Sequence, residues 1–160
     1  MLPPPTYYLR RMQERDLPFI MEIERLSFPN PWQESSFRGE IENLHITYPS
    51  VIVQRPHDRI IGYIIFWYEA DKAQISNFAL HPDFRGLGVG ESALKEILGA
   101  IRAMGAGHVV LEVRPSNVSA LSLYQKHGFV MLGTRLGYYQ NPPEDALVMI
   151  RYFDPFPQRD

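Results

Sequence analysis

Apolar and polar positions along this chain switch repeatedly between a strand period and a helix period. Tyr7 to Arg11 reads as a short strand. Leu17, Ile20, Met21, Ile23, Glu24 and Leu26 then follow a helical pattern, with Asp16 placed to cap it and Pro18 in its first turn. Phe28-Pro29-Asn30-Pro31-Trp32 ends that helix, because two prolines cannot sit inside one. A second short helix is expected from about Gln33 to Asn43. Val51 to Gln54 and Ile60 to Tyr68 read as paired strands joined by a turn at Pro56-His57-Asp58, and Ala73 to Leu80 as the next strand.

The period then lengthens. Leu94, Ile97, Leu98, Ile101 and Met104 recur at helical spacing, and Gly105 and Gly107 end the run. Val109, Val110, Leu111 and Val113 form a strand rich in β-branched residues. Asn117 is suited to cap a helix that ends at His127, with Gly128 just beyond. Phe129 to Tyr138 and Asp145 to Phe153 read as two closing strands. The order β-α-α-β-β-β-α-β-α-β-β predicts an α/β (α+β) fold, a mixed central sheet with helices on both faces. Residues 1–160 are expected to form one domain. Proline clusters at Pro3–Pro5 and Pro155–Pro157 suggest frayed ends.

Composition narrows the chemistry. Hydrophobic residues at 45% and charged residues at 21% are ordinary for a globular protein. A formal net charge of -2 gives no global positive field for nucleic acid. No apolar run approaches the roughly 18 residues that span a bilayer, so a soluble cytoplasmic protein with no membrane partner is expected. The absence of cysteine removes disulfides, thiolate metal sites and cysteine nucleophiles. The five histidines show no ligand spacing, so no metal is expected. His81, beside a strand end, reads as a turn residue.

The strongest single signal is Arg85-Gly86-Leu87-Gly88-Val89-Gly90-Glu91, which follows a strand and opens a helix. Glycines let the backbone turn sharply and approach a ligand, and free amides at a helix N-terminus bind phosphate oxygens. A phosphorylated cofactor follows, with a ligand-free tight turn as the alternative. A nucleoside-triphosphate loop would need Lys-Ser or Lys-Thr after its glycines, where this chain has Glu91-Ser92. A dinucleotide fingerprint would need a different last gap.

Arg85-x-x-Gly88-x-Gly90 resembles the pyrophosphate signature of the GNAT acetyltransferases. The similarity extends through Asn77 to Phe84, Leu111-Glu112-Val113-Arg114-x-Ser116-Asn117, Ala120, Leu123-Tyr124, Gly128-Phe129, Tyr138-Tyr139 and Asp145-Ala146-Leu147-x-Met149, with Phe28-x-x-Pro31-Trp32 near the start. The set is most similar to the ribosomal-protein-alanine N-acetyltransferases, which modify a protein N-terminus. The resemblance implies acetyl-coenzyme A as donor, held by Arg85 to Glu91 and by Asn117, which would also cap its helix. It implies a strand splay that frees backbone amides near Phe78, Ala79 and Leu80 to polarise the acetyl carbonyl.

Glu112 interrupts an apolar strand, and period two turns it away from Leu111 and Val113. The resemblance gives its counterpart the role of general base. The strand alone is equally compatible with a carboxylate that is solvated or paired with Arg114. A free α-amino group has a pKa near 8, so about a tenth is neutral at pH 7, and modest base help suffices. The resemblance gives Tyr124 the proton returned to the leaving thiolate, compatible with a packing role. Pro29, Trp32, Tyr138 and Tyr139 either wall a slot for a peptide end or are ordinary packing. Glu91 departs from the basic or small residue frequent there in the family: either its side chain points away from the pyrophosphate or it weakens binding. Two other readings stay open, a small-molecule amine acetyltransferase and a non-catalytic acyl-coenzyme A-binding module. Without cysteine, transfer is expected to be direct, in a ternary complex.

Overall fold

A computed structural model describes residues 6–43 and 45–153; the proline clusters at both ends lie outside these. Strand β1 (Tyr7–Arg11) is followed by helices α1 (Leu17–Ser27) and α2 (Glu34–Glu42), then strands β2 (Thr47–Gln54), β3 (Arg59–Glu69) and β4 (Lys72–Leu80). Helix α3 (Val89–Ala103), strand β5 (His108–Val113), helix α4 (Val118–Lys126) and strands β6 (Val130–Tyr139) and β7 (Glu144–Tyr152) complete the chain. The seven strands form one sheet ordered β1-β2-β3-β4-β5-β7-β6. Only β4 and β5 pair in parallel, so the sheet is mixed, as the element order predicts.

Alternation along the strands divides the core between the two faces. Ile64 and Phe66 of β3 pack with Leu94, Ile97 and Ile101 of α3 and with Tyr124 of α4. Tyr63 and Ile65, on the opposite face, pack with Ile20 and Ile23 of α1 and Phe37 of α2. The helices therefore cover both faces.

The start of α1 differs from expectation. Asp16 does not cap this helix with its side chain. Its carboxylate accepts Arg10 Nη1 and Nη2 at 2.7 and 2.8 Å and the Gln13 amide at 2.8 Å, closing a short 3-10 turn ahead of α1. Charge-assisted bonds to a guanidinium outweigh a neutral cap. Asn117, in contrast, caps α4 as expected, its Oδ1 accepting the Ala120 amide at 3.3 Å.

Candidate active site

β4 carries an extra residue. Ile65 pairs with Asn77 and Phe66 with Ile75, so Ser76 bulges from the ladder. A bulge reverses which face later side chains address. Ile75 packs toward α3, whereas Ala79 packs among the α1 and α2 residues and Asn77 bonds Glu24 of α1. Pairing with β5 runs from Lys72–His108 to Ile75–Leu111 and stops there. Beyond that point β4 pairs with β3 alone, up to Leu80 opposite Gly62. The edge of Asn77 to Leu80 that would face β5 is left without a strand partner, and this is the splay expected at Phe78, Ala79 and Leu80.

The glycine loop lies just past this opening. His81 Nδ1 accepts the Asp83 amide at 3.1 Å in the turn Pro82–Phe84, the turn role expected of it. Gly86 and Gly88 have φ of 78° and 83°, which a Cβ would strain. Gly90 is needed for a different reason: a Cβ there would lie 3.1 Å from Leu80 Cδ1 and 3.7 Å from Phe78 Cζ. Val89 anchors the loop in the cluster of Phe84, Ile52 and Ile61, while Leu87 is exposed at its tip. The first backbone bond of α3 runs from Ser92 N–H to Gly88 O at 3.1 Å, which leaves the amides of Val89, Gly90 and Glu91 without an intrahelical partner. Free amides beside positive-φ glycines suit a pyrophosphate. Arg85 is fixed by Nε to Leu80 O at 3.1 Å and by Nη2 to Ser27 Oγ at 3.0 Å. The Glu91 carboxylate turns to α4, within 2.9 Å of Lys126 Nζ and 3.2 Å of His127 Nε2. The hydrogen bond from Lys126 holds its pKa below the usual carboxylate range.

Glu112 projects from β5 on the α1–α2 face, opposite buried Leu111 and Val113, and its side chain is only 10% exposed. It is neither solvated nor paired with Arg114. Its Oε1 lies 3.2 Å from Arg135 Nε of β6. Arg114 instead reaches the β6–β7 turn, donating to Gln140 O at 3.1 Å and Pro142 O at 3.0 Å, and stacks 4.2 Å from the centroid of Tyr139. Glu144 joins this clasp by accepting the Ser116 amide at 2.7 Å and Ser116 Oγ at 2.8 Å.

Three tyrosines connect Glu112 to α4. Hydrogen bonding to Glu112, then partial burial, raises the pKa of Tyr138. Burial, with the nearby Tyr138 and Glu112, pushes Tyr139 up to about 12. The two rings meet edge to face with centroids 4.9 Å apart. Tyr124 of α4 is 8% exposed and packs edge to face on Phe129 at 5.5 Å. Burial, then Tyr139, holds its hydroxyl well above the usual phenol range. Glu112, Tyr138 and Tyr139 thus share one electrostatic neighbourhood, and Tyr139 is also near enough to influence Tyr124 of α4.

The loop after α1 closes the other side. Asn30 Nδ2 donates to Gln140 O at 2.5 Å, joining the Pro29–Trp32 loop to the β6–β7 turn. Trp32 turns its ring toward α2, 5.1 Å from Phe37. Its amide donates to Glu24 Oε2 at 2.8 Å. Glu24, 1% exposed, also accepts from the Tyr63 hydroxyl and from Asn77 Nδ2 at 3.2 Å. The sequence reading missed Glu24, Arg135 and Glu144. The available signal for Glu24 was a carboxylate in the apolar phase of a helix; Arg135 offered none.

The acetyltransferase (GNAT) family profile matches residues 17–129. A Bacillus subtilis protein, provisionally named a ribosomal protein bS18-alanine N-acetyltransferase, is 36% identical over 141 residues, 88% of this chain and 92% of its own. The ribosomal protein bS18-alanine N-acetyltransferase of Salmonella typhimurium is 31% identical over 136 residues, 84% of this chain and 89% of its own. The crystal structure of the ribosomal-protein-S18-alanine N-acetyltransferase from Escherichia coli superposes with a TM-score of 0.86 at 25% identity, over 97% of this chain and 99% of that one. The chain therefore belongs to the GNAT acetyltransferase family, as an acetyl-coenzyme A-dependent N-acetyltransferase of the ribosomal-protein-alanine type.

Proposed function

We propose that this chain moves the acetyl group of acetyl-coenzyme A to the α-amine of a polypeptide N-terminus, with the alanine of a ribosomal protein as type substrate. The observation that carries this reading is Glu112, a carboxylate held beside the β4–β5 opening and next to Tyr138, in a chain whose relatives are named for that reaction. A small-amine acceptor and a non-catalytic module are not favoured by those relatives. The work is assigned to the cytoplasm, where ribosomal proteins are made. Among the described residues no helix is long and apolar enough to cross a membrane.

Acetyl-coenzyme A, when bound, supplies the thioester whose carbonyl carbon the amine attacks. The amides of Val89, Gly90 and Glu91 hold the pyrophosphate, with Arg85, Gly86, Leu87 and Gly88 shaping the loop and Asn117 beside it. Glu112 takes the proton of the amine, directly or through one water. The unpaired edge at Phe78, Ala79 and Leu80 supplies amides for the charge that grows on the carbonyl oxygen. Tyr124 gives a proton to the departing sulfur. The Pro29–Trp32 loop and Tyr138–Tyr139 flank the acceptor. Transfer is direct, since the chain has no cysteine to carry the acyl group.

Thiol release is followed with peptides starting in alanine, serine or methionine, with the same peptides blocked at the N-terminus but bearing a lysine, and with small amines. Turnover with free N-termini that disappears on blocking is expected. Turnover with small amines alone would overturn the acceptor assignment.

A further inference from the structure

The Glu91 carboxylate is attached where it can compete with the donor. Gly88 is the N-cap of α3, and no side chain caps this helix. Val89 opens the helix, so Glu91 is its third residue. From that position a glutamate side chain can fold back and accept the N-cap amide, as in a capping box. The partial positive charge of a bare helix N-terminus draws a carboxylate the same way. The amides that suit a pyrophosphate therefore have an anion of the chain itself beside them.

In the structure that anion is turned the other way. Helix α4 ends at Lys126, with His127 as its C-cap. Glu91 Oε1 lies 2.9 Å from Lys126 Nζ and 3.2 Å from His127 Nε2. The His127 side chain is buried, and its Nε2 has no aligned hydrogen bond among the described residues, so a protonated ring meets Glu91 by charge alone. Lys95, Arg102 and Arg151 line the hollow beside His127, and no acidic residue does. The end of α4 is thus a basic counterweight to the N-terminus of α3, and Glu91 is shared between them.

We propose that Lys126 and His127 set the affinity for the donor by holding the Glu91 carboxylate off the N-terminal amides of α3. They are positioning residues that act through Glu91. The proposal rests on the reading above that these amides hold the donor pyrophosphate. It deepens that reading: the site carries its own competitor and the two residues that keep it away.

Calorimetry with acetyl-coenzyme A at low salt tests it through a mutant cycle. With Glu91 present, the Lys126→Gln, His127→Gln double variant should bind the donor about tenfold more weakly. In a Glu91→Gln background the same two replacements should change the Kd by less than about twofold. A loss of equal size in both backgrounds, or no loss in either, would overturn the proposal, because the two residues would then attract the donor directly or serve the fold alone. Acetyl-coenzyme A that lacks its ribose phosphate keeps the pyrophosphate and should give the same two ratios. A loss that disappears with this analogue would assign Lys126 to the ribose phosphate and overturn the proposal as well. Thermal unfolding checks that each variant folds. Should the double variant not fold, Lys126→Gln alone, at an exposed residue, carries the same cycle with a loss of about threefold expected. Gly88→Ala, which strains the loop at a φ of 83°, tests the pyrophosphate reading separately and should weaken donor binding. Unchanged binding in that variant would sink the reading and this proposal with it; weakened binding with equal losses in the cycle would sink this proposal alone.

Discussion

Glu112 of β5 meets Arg135 of β6 across the intervening strand β7, with 3.2 Å between Oε1 and Nε. The pair fixes the carboxylate on the α1–α2 face while Tyr138 approaches it from the same strand as Arg135. Glu112→Gln keeps the shape and the hydrogen bonding but cannot accept a proton. It should lower kcat by about 10²-fold or more while the Kd for acetyl-coenzyme A changes little. Steady-state kinetics with donor binding by calorimetry checks this; wild-type turnover would remove Glu112 from the reaction.

Tyr124→Phe should lower kcat by about 10-fold to 10²-fold and spare donor affinity. The ring packs on Phe129, so phenylalanine preserves the core contact and isolates the hydroxyl. Burial raises the pKa of this phenol, so its protonated form persists as pH rises through the ordinary phenol value near 10. The wild-type pH–rate profile should therefore show no descending limb from Tyr124 up to about pH 10. A limb below that value that vanishes in the variant would contradict the assignment.

Glu24 holds the Pro29–Trp32 loop through the Trp32 amide and holds β3 and β4 through Tyr63 and Asn77. Glu24→Ala leaves two buried donors and one part-buried donor without this acceptor and should destabilise the fold by about 3 kcal/mol. Glu24→Gln, which can still accept, should cost less but raise the acceptor KM more than the donor KM. Chemical denaturation and kinetics on both substrates separate the two effects. Equal changes in both KM values would mean that Glu24 serves the core alone.

Asp16 gives a pH-dependent contribution to stability. Burial alone would raise its pKa, but the Arg10 bonds and the Gln13 amide outweigh burial and leave the value lowered. A carboxylate with a folded-state pKa below its unfolded value binds fewer protons when folded. Its contribution is therefore present above the unfolded pKa and is lost as pH falls through the folded one. Asp16→Asn should lower stability by about 2 kcal/mol at pH 7 and flatten the acid limb of the stability curve. An acid limb of unchanged slope would contradict this.

Much of this architecture was legible because its signals are local. The stripe from Leu94 to Ile101 specifies both the existence of α3 and its buried face. Two-residue alternation turns Glu112 from Leu111, and three glycines after a strand mark the loop. What stayed hidden depends on distant partners. The bulge at Ser76 is set by pairing with β3, so no residue near it announces that Asn77 will face α1. Asp16 resembles a cap when only its C-terminal neighbours are read, yet Arg10, on a strand, takes it. Arg135 lies 23 positions from Glu112 and meets it through sheet order alone. Glu24 was visible as a misplaced carboxylate, but its three donors come from separate elements.

The most direct test of the central claim is to locate the acetyl group. A peptide with a free N-terminal alanine and one internal lysine is incubated with the protein and acetyl-coenzyme A, then fragmented in a mass spectrometer. A single acetyl group is expected on the alanine α-amine, formed about 10²-fold or more slowly when Glu112 is replaced by glutamine. Acetyl on the lysine side chain, or no acetylated peptide while free amines are consumed, would contradict it.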